Sequence, residues 1–551
     1  MTLKQVKKFE KQNEVSVNIF ILKKLGCKYH VGTAHLTDTC KSKHVNLLLI
    51  QDHYVDENNP SEGALDFVPK FHFVFIRDLS RLVRSQVTKR NCKIYICNRC
   101  LHYFLSEDNL KNHMVDCMKI TKCKIILPTE ENNKLKFKNY KNAERVSYVV
   151  YADFESLLKP TENKPAFQEH QAFSVGYYLK NTHDDSKSYY RSYRQTEEGE
   201  QTPADWFMNE LKNIALELEN VYKNPKRMIF TEHNYFEFHM AKVCWICGEA
   251  LGSLRCRDHC HITGVYRGAS HNKCNLNYVN SKHIPVIFHN LSGYDAHFLI
   301  KELASDKILK GRLRIIAENK DRYISFTKYI DNSIINFRFL DSFRFMASSL
   351  DQLSKYLPSK DITIRNLREV GYCDEQIDLL TQKGVYPYDF TNSFEKLKET
   401  SLPTKEDFYS KLVESHISQE EYDHAQKVWS KLNIKTLGEY ADVYMRSDIL
   451  ILADVFENFR STCMEAYSLD PAHYYTTPGL SFDAMLKRTK VELELITDVN
   501  ILLFIQRGIR GEVSQICSKR FVEANNPYMA NYDPQKEEKY LVYYDANNFY
   551  G

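Results

Sequence analysis

Glycine and proline are scarce, at 18 and 15 in 551 residues. That leaves little room for long flexible linkers, and no internal repeat or low-complexity tract interrupts the chain. Long apolar runs are missing as well. None approaches the roughly 18 residues that a membrane span needs, so no membrane partner is expected. The opening MTLKQVKKFE carries no apolar stretch, which argues against a secretory leader. Nor does one charge dominate. The 75 Lys/Arg against 71 Asp/Glu leave a formal net charge of +4, which excludes a basic coat protein and an acidic solvating tail. What is present is 43% apolar and 26% charged, the mix of a globular protein, and long enough for about three or four domains. The near-zero balance hides an uneven distribution. Residues 1–150 hold 26 basic and 15 acidic side chains, and the remainder hold 49 and 56. A basic front suits contact with phosphates, and an acidic body suits carboxylates kept for another purpose.

Along the chain, residues 1–90 read as a mixed domain of unassigned role. KHVNLLLIQDHYV and FHFVFI have the β-branched and aromatic content of strands. Residues 124–147, polar and rich in Lys and Asn, read as a linker. VSYVVYADFESLL reads as a buried strand ending in acids, and PVIFHNLSGYDAHFLIKEL as strand, turn and helix. EYADVYMRSDILILADVFENFRSTCMEA has the spacing of an amphipathic helix.

Fifteen cysteines are an odd number, and ten of them fall between Cys92 and Cys274. With no export signal, clustered thiols point to metal rather than disulfides. In the first cluster, Cys97-x-x-Cys100 is followed by His113 and, after three more residues, Cys117. This spacing puts two thiolates on a turn and a His and a Cys on one face of a helix, the four ligands of a tetrahedral zinc site. Such a finger can read DNA or serve a partner protein. In the second cluster, Cys244-x-x-Cys247 and His271-x-x-Cys274 supply another four zinc ligands. Between them lies Asp258-His259-Cys260-His261, and Asn275 follows the last ligand. The layout resembles the recombination endonuclease VII family of ββα-metal nucleases, with His271 where that family has a cysteine. The resemblance implies that Asp258 and Asn275 hold a magnesium ion and that His259 activates water. A purely structural zinc module remains the alternative.

Asp153 and Glu155 sit at i and i+2 of a strand, so they project from one face. Asn290-Leu-Ser-Gly-Tyr294-Asp295 adds an acid at a strand-to-helix turn, and Tyr444 and Asp448 share a helix face at i and i+4. Four acids brought together repel unless cations neutralise them. Two magnesium ions about 3.5–4 Å apart would do so while activating water and stabilising a leaving oxygen.

The order of these motifs resembles the exonuclease region of family B DNA polymerases. The resemblance implies an RNase H-like α/β fold in which Asp153, Glu155, Asp295 and Asp448 bind magnesium or manganese and Tyr444 orients the water. Asn290 and Tyr294 would lie near the primer 3′ end. Leu340-Asp341-Ser342-Phe343 looks like the single-strand contact motif, with Ser342 and Phe343 against DNA and Phe where Leu is usual. The 140 positions from Glu155 to Asp295 take in the second zinc cluster, which therefore reads as an insertion. That arrangement resembles the protein-primed branch carried by Polinton/Maverick transposons and their viral relatives. Near the end, Ile509-Arg510-Gly511-Glu512 stands where the family has Tyr-x-Gly-Gly, and Asp545-Ala-Asn-Asn-Phe-Tyr550-Gly551 resembles the first polymerase motif. Asp545 would be one catalytic acid of the palm. No later Asp-Thr-Asp motif or Lys-rich nucleotide-binding helix follows, so this polypeptide is expected not to polymerise on its own.

The expected organisation is a mixed domain (1–90), zinc finger (91–123), linker (124–147), first exonuclease part (148–240), inserted zinc module (241–283), second exonuclease part (284–465) and the start of a polymerase palm (466–551). The expected partners are single-stranded 3′ ends, primer-template DNA and, by the protein-primed resemblance, a terminal protein. Reduced zinc thiolates imply the cytosol or the nucleus, and DNA as substrate favours the nucleus, with the cytoplasm as the alternative. A zinc protein that binds nucleic acid through inactive nuclease sites stays as the alternative, as does DNA cutting by the inserted module alone.

Overall fold

The structure is a computed structural model that describes residues 5–25, 28–37, 40–52, 70–89, 92–117, 127–161, 168–278, 281–319, 322–509, 523–529 and 531–541. Asp545 and Tyr550 of the palm-like motif and residues 510–512 lie outside the described residues. The chain divides into two units, one of residues 1–132 with 496–551 and one of residues 133–495. No described helix is long and apolar enough to cross a membrane.

In the first unit, α1 (Val6–Asn13) leads into β1 (Ser16–Leu25), β2 (Lys28–His35), β3 (His44–Asp52) and β4 (Lys70–Phe75). The strands form a sheet in the order β2-β1-β3-β4, with β1 and β3 parallel. Alternation along β1 sends Val17 and Ile19 to a core with Val6, and Phe20 to the other face with Leu79 and Val83 of α2 (Leu79–Val87). Asp78 caps α2 by accepting from the Arg81 N–H. The short strands β5 (Tyr95–Ile96) and β6 (Tyr103–Phe104) and the helix α3 (Glu107–Cys117) follow.

The second unit opens with β7 (Lys134–Leu135), then β8 (Tyr148–Pro160), β9 (Gln168–Asn181) and β10 (Tyr189–Arg194). Residues 133–147, read from sequence as linker, are built into this unit, with Phe137 and Val146 buried in its core. Polar composition concealed this, because only those few apolar positions face inward. Next come α4 (Pro203–Lys223), α5 (Glu232–Met240), β11 (Arg255–His259), β12 (Tyr266–His271) and α6 (Asn272–Asn277). The chain rejoins the sheet with β13 (His283–Phe288), α7 (Ala296–Ser305), β14 (Leu313–Ala317), β15 (Tyr323–Tyr329) and β16 (Asn336–Asp341). The helices α8 (Leu350–Lys355), α9 (Asp361–Val370), α10 (Asp374–Leu380), α11 (Gln419–Lys431), α12 (Leu437–Tyr467) and α13 (Thr477–Thr489) complete it, and β17 (Leu493–Glu494) pairs back on β7.

The seven-stranded sheet runs β10-β9-β8-β13-β16-β15-β14. β8, β9 and β10 form an antiparallel meander, and β13 and β16 continue parallel to β8. Both faces are covered, so the central strands are apolar throughout rather than alternating. Val150, Ala152 and Phe154 of β8 pack with Phe207 of α4 and Leu299 of α7. Val149 and Tyr151 face the opposite layer with Met445, Ile449 and Phe456 of α12.

Candidate functional site

The site begins with a missing side chain. Asp153 pairs across strands with Gly176. A Cβ at Gly176 would stand 2.8 Å from Ile449 Cδ1 and 3.0 Å from Met445 Sδ. Glycine there lets α12 lie close on the sheet, and one turn of that helix then carries Asp448 up to β8. One ligand atom each from Asp153, Glu155 and Asp448 lies within 4.8 Å of the others. Glu155 and Asp448 are buried, and Asp153 is half-buried. Burial and then the Asp448 charge push the Asp153 carboxyl up to about 7. Burial, then Asp153 and Asp448, push Glu155 well above the usual carboxylate range. Asp295 stands at the N-terminal start of α7 beside this trio, with no side-chain cap bond to the helix, and burial and the Asp153 charge raise it strongly too. Asp295 Oδ1 and Asp448 Oδ1 are buried without a hydrogen-bond partner. Orphaned carboxylate oxygens among crowded acids suit divalent cations, so the donor set fits the metal expected for it.

Two side chains that sequence reasoning missed complete the site. Lys383 Nζ contacts Asp448 Oδ2 and donates to Tyr444 OH at 3.1 Å. Burial alone would lower this ammonium, but Asp448 and Tyr444 outweigh it and hold it charged. Tyr388 donates to Tyr444 OH at 3.2 Å. A lone lysine in a loop has no spacing that marks it, whereas the acids stand at intervals set by strand and helix.

The turn carrying Asn290, Tyr294 and Asp295 is clamped from below. Asp341, at the end of β16, accepts from the backbone N–H of Asn290 at 2.9 Å, Ser292 at 3.0 Å and Phe343 at 3.0 Å. Asn290 is exposed with φ of 67°, a left-handed conformation that asparagine tolerates. Tyr294 OH meets Ser156 and lies 2.8 Å from His170 Nδ1. The expectation that Ser342 touches DNA needs correction. Ser342 is fully buried and its hydroxyl donates to the Phe288 carbonyl at 3.0 Å, so its side chain braces the strand end. Phe343 keeps 39% of its surface exposed and is free to meet a ligand.

Both cysteine clusters converge. One ligand atom each from Cys97, Cys100, His113 and Cys117 lies within 4.8 Å of the others, as do those of Cys244, Cys247, His271 and Cys274. Asn98, in the first knuckle, is anchored to the sheet of its own unit. Its carbonyl accepts from Asn18 Nδ2 at 2.6 Å and its side chain from Asn46 at 3.2 Å. In the second cluster His271 Nε2 lies 3.0 Å from the Ala250 carbonyl, which leaves Nδ1 for the thiols at 3.5 and 3.7 Å.

The nuclease-like residues beside that cluster are arranged differently from expectation. Asp258 is buried and pairs across the hairpin with Gly268, next to Arg267. Its two oxygens accept from Arg267 Nε at 2.8 Å and Nη2 at 3.0 Å. Arg267 also reaches Glu144 at 2.6 Å and lies over the rings of Trp245 and Tyr278. A bidentate arginine already neutralises Asp258, a different arrangement from the free carboxylate that a magnesium site with Asn275 would use. His259 is half-exposed beside His261, with ring centres 4.8 Å apart.

The family described as DNA polymerase type B, organellar and viral, matches residues 274–549. No curated protein matches the chain. Among solved structures, phi29 DNA polymerase with primer-template DNA and incoming nucleotides aligns at 11% identity and a TM-score of 0.26, over 62% of this chain and 35% of that one. Phi29 DNA polymerase with primer-template DNA alone aligns at 11% identity and a TM-score of 0.25, over 62% and 36%. The chain thus spans about a third of the length of those polymerases.

Proposed function

Because the chain belongs to the organellar and viral type B DNA polymerase family, we propose that it is part of a DNA-replicating polymerase and that its second unit is the 3′–5′ exonuclease. The substrate of that unit is a single-stranded DNA 3′ end. Primer-template DNA and a terminal protein are partners of the whole polymerase, and a mobile element or virus is its setting. The sheet order β10-β9-β8-β13-β16 supports an RNase H-like fold, because three antiparallel strands are followed by two parallel to the first.

The observation that carries this reading is the meeting of Asp153, Glu155 and Asp448, with Asp295 beside them. These acids would hold two magnesium or manganese ions, which supply Lewis acidity and a lowered water pKa. Tyr444, fixed by Lys383 and Tyr388, presents its hydroxyl to orient the attacking water. Lys383 holds a positive charge against the acids where phosphate charge must be offset. Asn290 and Phe343 stand exposed at the mouth, suited to an amide contact and a stacking contact with terminal nucleotides. The two Cys/His clusters are zinc sites that hold their knuckles rigid.

The test is magnesium-dependent shortening of a 5′-labelled single-stranded oligonucleotide. Asp153→Ala with Glu155→Ala should slow it by at least roughly a hundredfold. Full activity in the double variant rejects the reading.

A further inference from the structure

A cavity of about 340 Å³ opens in the second unit, lined in part by Asn139, Lys141, Ser281, His283, Arg338 and Tyr475. The acid trio appears nowhere among its lining residues. Arg338 lies on β16, half-buried, and no carboxylate pairs with it among the described residues. Its Nη1 donates to the His473 carbonyl at 3.2 Å, its plane lies over Tyr475 at 4.9 Å, and its buried Nε has no acceptor. His283 Nδ1 is likewise buried without a partner. Lys141 adds a second cation at an exposed position. The neighbouring Asp483 is taken, accepting from Asn139 at 2.7 Å and from Tyr474 at 2.9 Å.

A half-buried guanidinium with no carboxylate and a buried Nε–H left without an acceptor is costly, and proteins ordinarily pair it. Here the missing partner is an anion, and the groups left to meet it are the Arg338 guanidinium, the Lys141 ammonium and the His283 imidazole, since Asn139 is taken by Asp483 and the Ser281 hydroxyl donates to the His283 carbonyl. Planar donors of this kind match phosphate oxygens. The volume falls in the range of small-ligand sites, and the Tyr475 ring adds an aromatic wall. We propose that this cavity is a phosphate-binding site for a nucleotide, separate from the exonuclease centre. The phosphate comes from a free deoxynucleoside monophosphate or from a DNA strand.

Calorimetric titrations of the whole chain in EDTA, which silences metal-dependent cleavage, would use inorganic phosphate, dTMP and the octamer dT8. Phosphate and dTMP should bind, and Arg338→Gln should weaken both at least tenfold. Lys141→Ala, at an exposed position, should weaken them in the same direction and serves where Arg338→Gln fails to fold. Exonuclease activity of both variants should stay unchanged, which separates this site from the acid cluster. A dT8 affinity that exceeds that of dTMP and falls in the variants assigns the phosphate to a strand. Tighter dTMP assigns it to the free nucleotide. Equal binding by wild type and variants, or no binding of any probe up to about 10 mM, overturns the proposal.

Discussion

Lys383 changes how the acid cluster tolerates itself. Three carboxylates in one buried place are held with a single ammonium against them. Lys383→Met should therefore lower the proposed exonuclease turnover by roughly ten- to a thousandfold while leaving oligonucleotide binding in EDTA within a few-fold. Parallel loss of binding would mean that the lysine serves substrate affinity instead. A second charged pair acts on stability. Asp470 is fully buried and accepts from Arg460 Nε at 3.0 Å and Nη2 at 2.6 Å. Burial would raise this carboxyl, but Arg460 outweighs it and holds it at about 2 rather than 3.8. A depressed carboxyl stabilises the fold above about pH 4, and that share is lost as pH falls toward 2. Asp470→Asn should cost about 2 kcal/mol more at pH 7 than near pH 2 in urea melts. A pH-independent difference would show that the pair is not ionised. The thiols were legible in sequence because their ligand spacing is local, and the acids because each falls in a strand, turn or helix motif whose order could be read. Lys383, Tyr388 and the Arg460 to Asp470 pair were not, since their partners are set by packing alone.

The β11/β12 hairpin shows what register adds to a motif. Asp258, His259, His271 and Cys274 can be read from spacing, but the neighbour of Asp258 across the strands cannot. Pairing of Asp258 with Gly268 places Arg267 against it, and Gly268, with φ of 154° and Trp245 against its Cα face, fixes that register. An arginine-clamped aspartate braces rather than coordinates, so His259→Ala should leave cutting of branched DNA unchanged. Loss of a cutting activity in that variant would restore the nuclease reading of the module. The long α12 was readable from its apolar period, whereas its approach to β9 depended on Gly176, whose role emerges only when the facing element is known. Ser342 failed as a DNA contact for the same kind of reason. A serine at a strand end looks alike in sequence whether it faces solvent or a carbonyl.

At the scale of the molecule, the first unit keeps the basic excess, with 27 Lys/Arg against 21 Asp/Glu, while the second is nearly balanced at 48 against 50; the first Cys/His cluster is anchored to the one and the acid cluster is built into the other. The segment that carries the second Cys/His cluster also separates neighbours. Val150 of β8 and Val286 of β13 pair in the sheet although 136 positions divide them. Closing so long a loop adds little to the equilibrium cost, which grows only as the logarithm of length, but distant pairing slows folding. The meander β8-β9-β10 and the β11/β12 hairpin are each local and can form first, and with zinc in the proposed four-ligand site the knuckle would then draw the ends of the gap together. Zinc should thus govern the tempo of assembly more than the endurance of the finished fold. Refolding from denaturant should slow several-fold in the presence of a chelator, while unfolding of the loaded protein keeps its rate. Equal refolding with and without zinc would assign the module no part in the kinetics. Where refolding does depend on zinc, metal supply during synthesis acts as a clock on when the acids of β8 meet those beyond β13.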